Sequence, residues 1–126
     1  VLRGIHYQKN PMAQGKLVRV LIGEIFDVAV DLRRDSKFFG RCASVFLSAS
    51  KRKQLWIPEG FGHGFLALSE KVEVLYKTTN YYSSANEVCI RWDDPDLGIE
   101  WPVLDQPFLI SDKDVRGMTF AQADLF

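Results

Sequence analysis

The chain has 126 residues, 47% of them apolar and 25% charged, and its 16 basic side chains balance its 16 acidic ones. This length supports one hydrophobic core, which predicts a single domain over 1–126. The balanced charge argues against a nucleic-acid partner, and no apolar run is long enough for a transmembrane helix. The basic cluster at 51–53 is interpreted as a solvated turn.

Short apolar runs with strand-like alternation, separated by turn residues, follow one another along most of the chain. After the opening segment VLRGIHYQ (1–8), the runs are KLVRVLIG (16–23), EIFDVAVDLR (24–33), RCASVFLS (41–48), KQLWIP (53–58), GFLALS (64–69), VEVLYKTT (72–79) and EVCIRW (87–92). Turn signals recur about every 8 to 12 residues, which predicts an all-β sandwich or barrel. The segment 111–126 is predicted to contain one short helix or an extended stretch.

The two cysteines, Cys42 and Cys89, lie in apolar, strand-like surroundings. Single cysteines in such places behave as small buried thiols, which is typical of a reducing compartment. We therefore expect no disulfide between them.

The chain has two histidines: His63 lies between Gly62 and Gly64, and His6 lies two residues after Gly4. Glycine leaves room for the close approach of another backbone or of a ligand. A single histidine of this kind is more often a hydrogen-bonded core residue, but two on predicted barrel strands favour a pocket. Residue 8 is Gln8 rather than a second histidine of an H-x-H pair, so the spacing argues against a metal site.

Two further polar residues share a predicted strand face with apolar neighbours. Alternation along 72–79 places Tyr76 on the apolar side, as a core tyrosine or as a general acid in a cavity. Lys16 alternates with valines, which is uncommon for a lysine unless it is paired, functional or at a strand end. A base, a cation and an acid together suit proton transfer next to a carbonyl through an enolate.

Six segments in order carry a resemblance to a known family. They are VLRGIHYQ, QGKLVRVLIGEIFDVAVDLR, LWIPEGFGHGF, YKTTNYYSSANE, IRWDDPDLGIEWP and SDKD. Together they resemble the dTDP-4-dehydrorhamnose 3,5-epimerases over essentially the whole chain. The resemblance implies a metal-independent, cupin-type jelly-roll barrel without a cofactor, acting as an isomerase in dTDP-L-rhamnose biosynthesis.

The resemblance further implies the substrate and its surroundings. The substrate would be dTDP-4-dehydro-6-deoxy-D-glucose, inverted at C3 and C5 to give dTDP-4-dehydro-L-rhamnose. A homodimer in the cytoplasm is implied, with no nucleic-acid or membrane partner.

The resemblance implies roles for nine residues. His6 would be the base, Asp114 would orient it, and Tyr76 would donate a proton from the opposite face of the sugar. Lys16 would stabilise the enolate oxygen. The implied substrate-binding residues, of which the aromatic one would stack on thymine, are Arg3, His63, Tyr82, Glu87 and Lys113.

The segment R-G-x-H-Y-Q is internal in that family, so the chain is expected to be N-terminally truncated. Its proton-transfer residues would be complete, while part of the substrate contacts would be missing and the sheet edges exposed. Four alternatives stay open: an epimerase of a single carbon, a 3,4-ketoisomerase, a non-catalytic nucleotide-sugar-binding cupin and a metal-dependent cupin oxygenase. The presence of Tyr76 favours the double epimerase over the single-carbon enzyme without deciding between them.

Overall fold

The computed structural model describes residues 1–126 and is built from β-strands with one very short helix. The elements are β1 Leu2–Gln8, β2 Lys16–Ile22, β3 Glu24–Asp31, β4 Cys42–Ser48, β5 Gln54–Ile57, β6 Phe61–Ala67, β7 Glu73–Thr78, β8 Glu87–Cys89 and α1 Asp112–Val115. The strands form a five-stranded sheet in the order β4-β3-β6-β1-β8 and a three-stranded sheet in the order β5-β2-β7. The all-β, cupin-type prediction is confirmed. No helix has the length and apolar character of a membrane span.

Strand β3 of the larger sheet is buried on both of its faces. Phe26, Val28 and Val30 belong to a core between this sheet and the later part of the chain. Ile25 and Ala29 point the other way and pack against the three-stranded sheet. Since successive strand residues alternate between faces, both sets of β3 side chains are removed from water. A polar residue on β3 therefore enters the interior whichever way it points.

Strand β6 begins three residues before the predicted run, because its glycines are packing residues rather than a turn. A Cβ at Gly64 would overlap the side chain of Ile5 and the carbonyl oxygen of Arg3, and a Cβ at Gly62 would overlap Ile5 as well. The glycines thus allow β1 and β6 to approach closely, as expected from their places beside the two histidines. This approach sets His6 and His63 opposite each other in the β1–β6 register.

The remaining predictions differ from the structure only in detail. Residues 51–53 are exposed and lie outside the strands, as predicted. The segment 111–126 contains the short helix α1, whose first turn is capped by Ser111, an acceptor for the backbone N–H of Asp114. Both cysteines are free thiols, but Cys42 and Cys89 are half-buried rather than buried. Burial still raises the pKa of Cys42 to about 11.

Candidate active site

An open cavity of about 950 Å³ lies between the two sheets and is bordered by α1. Strands β1 and β6 form one wall, while β2 and β7 form the other. All nine residues singled out in the sequence line this cavity. They are Arg3, His6, Lys16, His63, Tyr76, Tyr82, Glu87, Lys113 and Asp114.

His6 is held by a buried carboxylate. Its Nε2 lies 2.9 Å from Oδ1 of Asp114, whose side chain is only 4% exposed. The second carboxylate oxygen, Oδ2, accepts the backbone N–H of Gly4 at 3.2 Å. Asp114 is therefore fixed to β1 at two points, and it determines the orientation of the imidazole ring.

The other ring nitrogen of His6 faces a second carboxylate. Nδ1 lies 3.3 Å from Oε1 of Glu87 but is buried without a hydrogen-bond partner. Glu87 is itself held by Nζ of Lys113 at 2.7 Å and by the hydroxyl of Tyr82 at 2.5 Å. Burial acts to raise the pKa of Glu87, but these two hydrogen bonds outweigh it and the pKa lies below its ordinary value.

The electrostatics favour a neutral imidazole. Burial lowers the pKa of His6 below 6.5, and the charges of Asp114 and Glu87 oppose this effect only in part. Near neutral pH, His6 therefore carries one proton. Placing that proton on Nε2, beside the carboxylate of Asp114, leaves the lone pair on Nδ1, which makes Nδ1 the potential base.

The opposite wall of the cavity presents a cation and a phenol. In the β2–β7 register Lys16 is opposite Thr78 and Val18 is opposite Tyr76, so Lys16 and Tyr76 extend from the same sheet face. Burial lowers the pKa of Lys16, while the charges of Glu87 and Asp27 act to raise it. Lys16 lines the cavity instead of extending outward from the strand end.

The expectation of a tyrosine in the apolar interior needs correction. Tyr76 points into the cavity as predicted, but it is 55% exposed. Its hydroxyl makes no hydrogen bond within the chain, because the cavity is open where the ring lies. The phenol is thus accessible to a ligand rather than fixed to a backbone carbonyl.

A second histidine–carboxylate pair lies at the wall formed by β3 and β6. Nε2 of His63 is 2.5 Å from Oδ1 of Asp27, and both residues are buried. Sequence reasoning missed Asp27, although its place on a strand whose opposite face is apolar was visible. The signal that was lacking is that β3 is covered on both faces.

Two residues of the opening motif have different surroundings. Arg3 is exposed and lines the cavity on β1. Gln8 is buried, and its amide nitrogen donates to the carbonyls of Met12 and Tyr81. Its amide oxygen accepts the backbone N–H of Ser83. Gln8 therefore holds the loop that carries Tyr82, a structural role that the sequence left undefined.

One group of side chains has the composition of a metal site. Potential ligand atoms of His6, Cys89 and Asp114 all lie within 4.8 Å of one another. Sγ of Cys89 is 3.8 Å from Oδ1 of Asp114. Burial, and then the charge of Asp114, raise the pKa of the Cys89 thiol to about 12.

Comparison with known proteins gives consistent results. Residues 1–122 match the family model described as dTDP-4-dehydrorhamnose 3,5-epimerase. The enzyme of that name from Shigella flexneri is 56% identical over 126 residues, which are 100% of this chain and 68% of the relative.

Solved structures agree in fold. The dTDP-6-deoxy-D-glucose-3,5-epimerase of Legionella pneumophila, in complex with dTDP-4-keto-L-rhamnose, has a TM-score of 0.93 and 46% identity over 98% of this chain and 64% of its own. A 3'-monoepimerase from Streptomyces bikiniensis, in complex with dTDP-quinovose, has a TM-score of 0.89 and 37% identity over 96% of this chain and 61% of its own. The chain thus spans about two thirds of these proteins.

Proposed function

This chain belongs to the dTDP-4-dehydrorhamnose 3,5-epimerase family, and on that premise we propose that it epimerises a dTDP-4-keto-6-deoxy sugar. The proposed reaction inverts C3 and C5 of dTDP-4-dehydro-6-deoxy-D-glucose to give dTDP-4-dehydro-L-rhamnose. One observation carries the proposal. A histidine–carboxylate pair on one wall of the cavity faces a lysine and a tyrosine on the other.

His6 is the proposed base. The C4 carbonyl acidifies the protons on C3 and C5, and Nδ1 of the neutral imidazole removes one of them. Once that carbon has been reprotonated, His6 releases its proton and can remove the second. Asp114 keeps the other nitrogen protonated and stabilises the imidazolium that forms. The lowered pKa of His6 supports this role, because the base is unprotonated before the substrate is deprotonated.

Lys16 is the proposed stabiliser of the enolate. Removing a proton next to the carbonyl moves negative charge onto the C4 oxygen, and a half-buried ammonium lowers the energy of that charge. Charges from Glu87 and Asp27 favour the protonated state of Lys16. Burial disfavours this cation, and the two carboxylates act against the effect of burial.

Tyr76 is the proposed acid. Inversion requires a proton to arrive on the face opposite the one from which it left, and Tyr76 extends from the wall opposite His6. Its hydroxyl is free of partners in the chain and open to a ligand.

The remaining cavity residues are proposed to bind the nucleotide sugar. Arg3 and Lys113 supply positive charge for the diphosphate, and guanidinium geometry matches phosphate oxygens. His63 and Glu87 would contact the sugar and its diphosphate, and the exposed ring of Tyr82 would stack on thymine. We further propose a single cupin domain over 1–126, a homodimer and a cytoplasmic location.

An epimerase of a single carbon is the second candidate. The observation in its favour is the likeness to the Streptomyces bikiniensis 3'-monoepimerase, which shares the fold at a TM-score of 0.89. The fold therefore does not distinguish one inversion from two.

Proton NMR of dTDP-4-keto-6-deoxyglucose in deuterated water tests both candidates. Loss of the C3 and C5 signals, with the rhamnose isomer as product, is expected for the double epimerase. Loss at C3 or C5 alone supports the single-carbon enzyme.

A His6→Gln variant should retain binding of dTDP, measured by calorimetry, while exchange stops. Binding without exchange in the unmodified chain would instead support a nucleotide-sugar-binding cupin.

A further inference from the structure

We propose that His6, Cys89 and Asp114 form a binding site for a thiophilic divalent cation such as Zn²⁺ or Co²⁺, and that the cation blocks the base. The proposed reaction assigns no step to a metal ion, and a cation on these ligands occupies the proposed base, so the site is inhibitory. Binding of the cation stands apart from the proposed function, whereas the inhibition rests on it.

Strand pairing brings the first two ligands together. His6 and Cys89 are directly opposite each other in the antiparallel β1–β8 register. The neighbouring pair, Ile5 and Ile90, exchanges both backbone hydrogen bonds. His6 and Cys89 therefore occupy a non-hydrogen-bonded position, where side chains on one face come closest.

The third ligand arrives from α1, and it is already in contact with the other two. Oδ1 of Asp114 is 2.9 Å from Nε2 of His6 and 3.8 Å from Sγ of Cys89. A tetrahedral zinc ion with Zn–N and Zn–O bonds of about 2.0 Å and a Zn–S bond of about 2.3 Å needs ligand separations of roughly 3.3 to 3.7 Å. These two contacts are within a few tenths of an ångström of the required separations, and the ligand atoms of His6 and Cys89 lie within 4.8 Å of each other.

The unpartnered nitrogen of His6 is an independent sign of such a site. When a metal takes Nε2, the imidazole proton must reside on Nδ1, which is buried, unpaired and 3.3 Å from Oε1 of Glu87. Metal-binding histidines commonly donate their second N–H to a carboxylate. Glu87 is thus placed as the outer partner of a carboxylate–histidine–metal arrangement.

The proton and charge balance of binding is simple. The cation loses water ligands and accepts electron pairs from Nε2, Oδ1 and Sγ. The Cys89 thiol releases its proton to solvent, and the imidazole proton moves from Nε2 to Nδ1. Thiolate and carboxylate neutralise the divalent charge, against which Lys16 and Lys113 act from nearby. Binding removes the lone pair of Nδ1 that abstraction requires, so proton exchange stops.

Co²⁺ alone, without substrate, is the probe that tests the site. Titration of the full chain, kept reduced by a phosphine, should give one bound Co²⁺ per chain with a thiolate-to-cobalt charge-transfer band. Cys89→Ser should lose the band, while Cys42→Ser, altered at the other half-buried thiol, should keep it. Glu87→Gln should weaken Co²⁺ binding about 10- to 100-fold.

Three results would overturn the proposal: no band in the unmodified chain, a band that survives in Cys89→Ser, or a band that is lost in Cys42→Ser. Circular dichroism shows whether a variant that loses the cobalt band is still folded. Cys89→Ala repeats the test with a second substitution at the same position. A cobalt band from a chain without exchange activity would support the site and reject the proposed function. Exchange activity without a cobalt band would reject the metal site and support the proposed function.

Discussion

His63 and Asp27 form a buried pair with Nε2 2.5 Å from Oδ1. Residue 63 is opposite Ala29 in the β3–β6 register, so Asp27 is its diagonal neighbour on the same sheet face. The other carboxylate oxygen of Asp27 is buried without a partner. The pair thus combines one short hydrogen bond with one unsatisfied acceptor beside the cavity.

An Asp27→Asn substitution should destabilise the protein. The amide cannot satisfy all of its polar atoms there, since one site has no acceptor for an N–H group, and a buried unsatisfied donor costs about 1 to 3 kcal/mol. Urea unfolding measures the change. Asp93→Asn, at an exposed aspartate paired with Arg91, is the matched control and should cost less than about 1 kcal/mol. Equal losses in both variants would contradict the importance of the buried pair.

An Asp114→Asn substitution should lower kcat/KM by about 10³- to 10⁴-fold, because an amide neither selects the base tautomer nor stabilises the imidazolium. Asp112→Asn, on the same helix but exposed, should leave kcat/KM unchanged. The carboxylate of Asp114 acts to raise the pKa of His6. Its removal should therefore move the acid limb of the pH profile to lower pH, and a shift to higher pH would refute this interpretation.

A Tyr76→Phe substitution should separate proton exchange from inversion. His6 can still remove a proton and return a deuteron on the same face, so exchange in deuterated water continues. Without the opposing acid, formation of the epimer should fall about 10²- to 10⁴-fold. NMR follows both in one sample, with Tyr81→Phe, another exposed tyrosine, as control. If exchange and epimer formation fell equally, Tyr76 would not be the opposing acid.

An Asp31→Asn substitution should remove a pH-dependent part of the stability. Hydrogen bonds from Arg33 and Ser36 lower the pKa of Asp31 from 3.8 to about 2. A carboxyl group whose pKa is lower in the folded state than in the unfolded state stabilises the protein at pH values above its unfolded pKa. This stabilisation is lost as the pH falls from about 4 to about 2. The free energy of unfolding of the variant should be lower by about 1 to 2 kcal/mol at neutral pH. The loss is no larger because Arg33 is partly exposed and solvent screens the pair.

Urea unfolding of the Asp31→Asn variant from pH 7 to pH 2.5 measures this window. The difference from the unmodified chain should narrow below about pH 4. Asp35→Asn, at an exposed neighbour, should show no difference at any pH. A loss in Asp31→Asn that stayed constant with pH would indicate a cause other than the carboxylate charge.

Much of the fold could be predicted because local alternation and turn residues are strong signals in a β protein. The runs at 16–23 and 24–33 match β2 and β3 within two residues of the observed bounds. The pattern at 61–64 is harder to assign to a strand, because glycine normally marks a turn. Here Gly62 and Gly64 lie within a strand, and the reason is contact with β1, which no local window contains.

The candidate site likewise contains residues that could be predicted from the sequence and residues that could not. His6, Lys16 and Tyr76 could be singled out from residue type and strand face, and the six motifs supplied the partner Asp114. Asp27 could not be found, because its burial depends on a second layer packing over β3. Nor could the bridge from Glu87 to Lys113 and to Tyr82, which requires β8, α1 and the preceding loop to meet in three dimensions.

The bond from Gly4 to Asp114 joins residues 110 positions apart. Closing so long a loop is entropically costly, so this contact forms only when the rest of the fold supports it. A partly folded chain therefore exposes a histidine whose imidazole has no fixed orientation. Under the proposed function, enolisation of a nucleotide sugar would therefore begin only once this contact has formed, so proton exchange would depend on the folding of both ends of the chain.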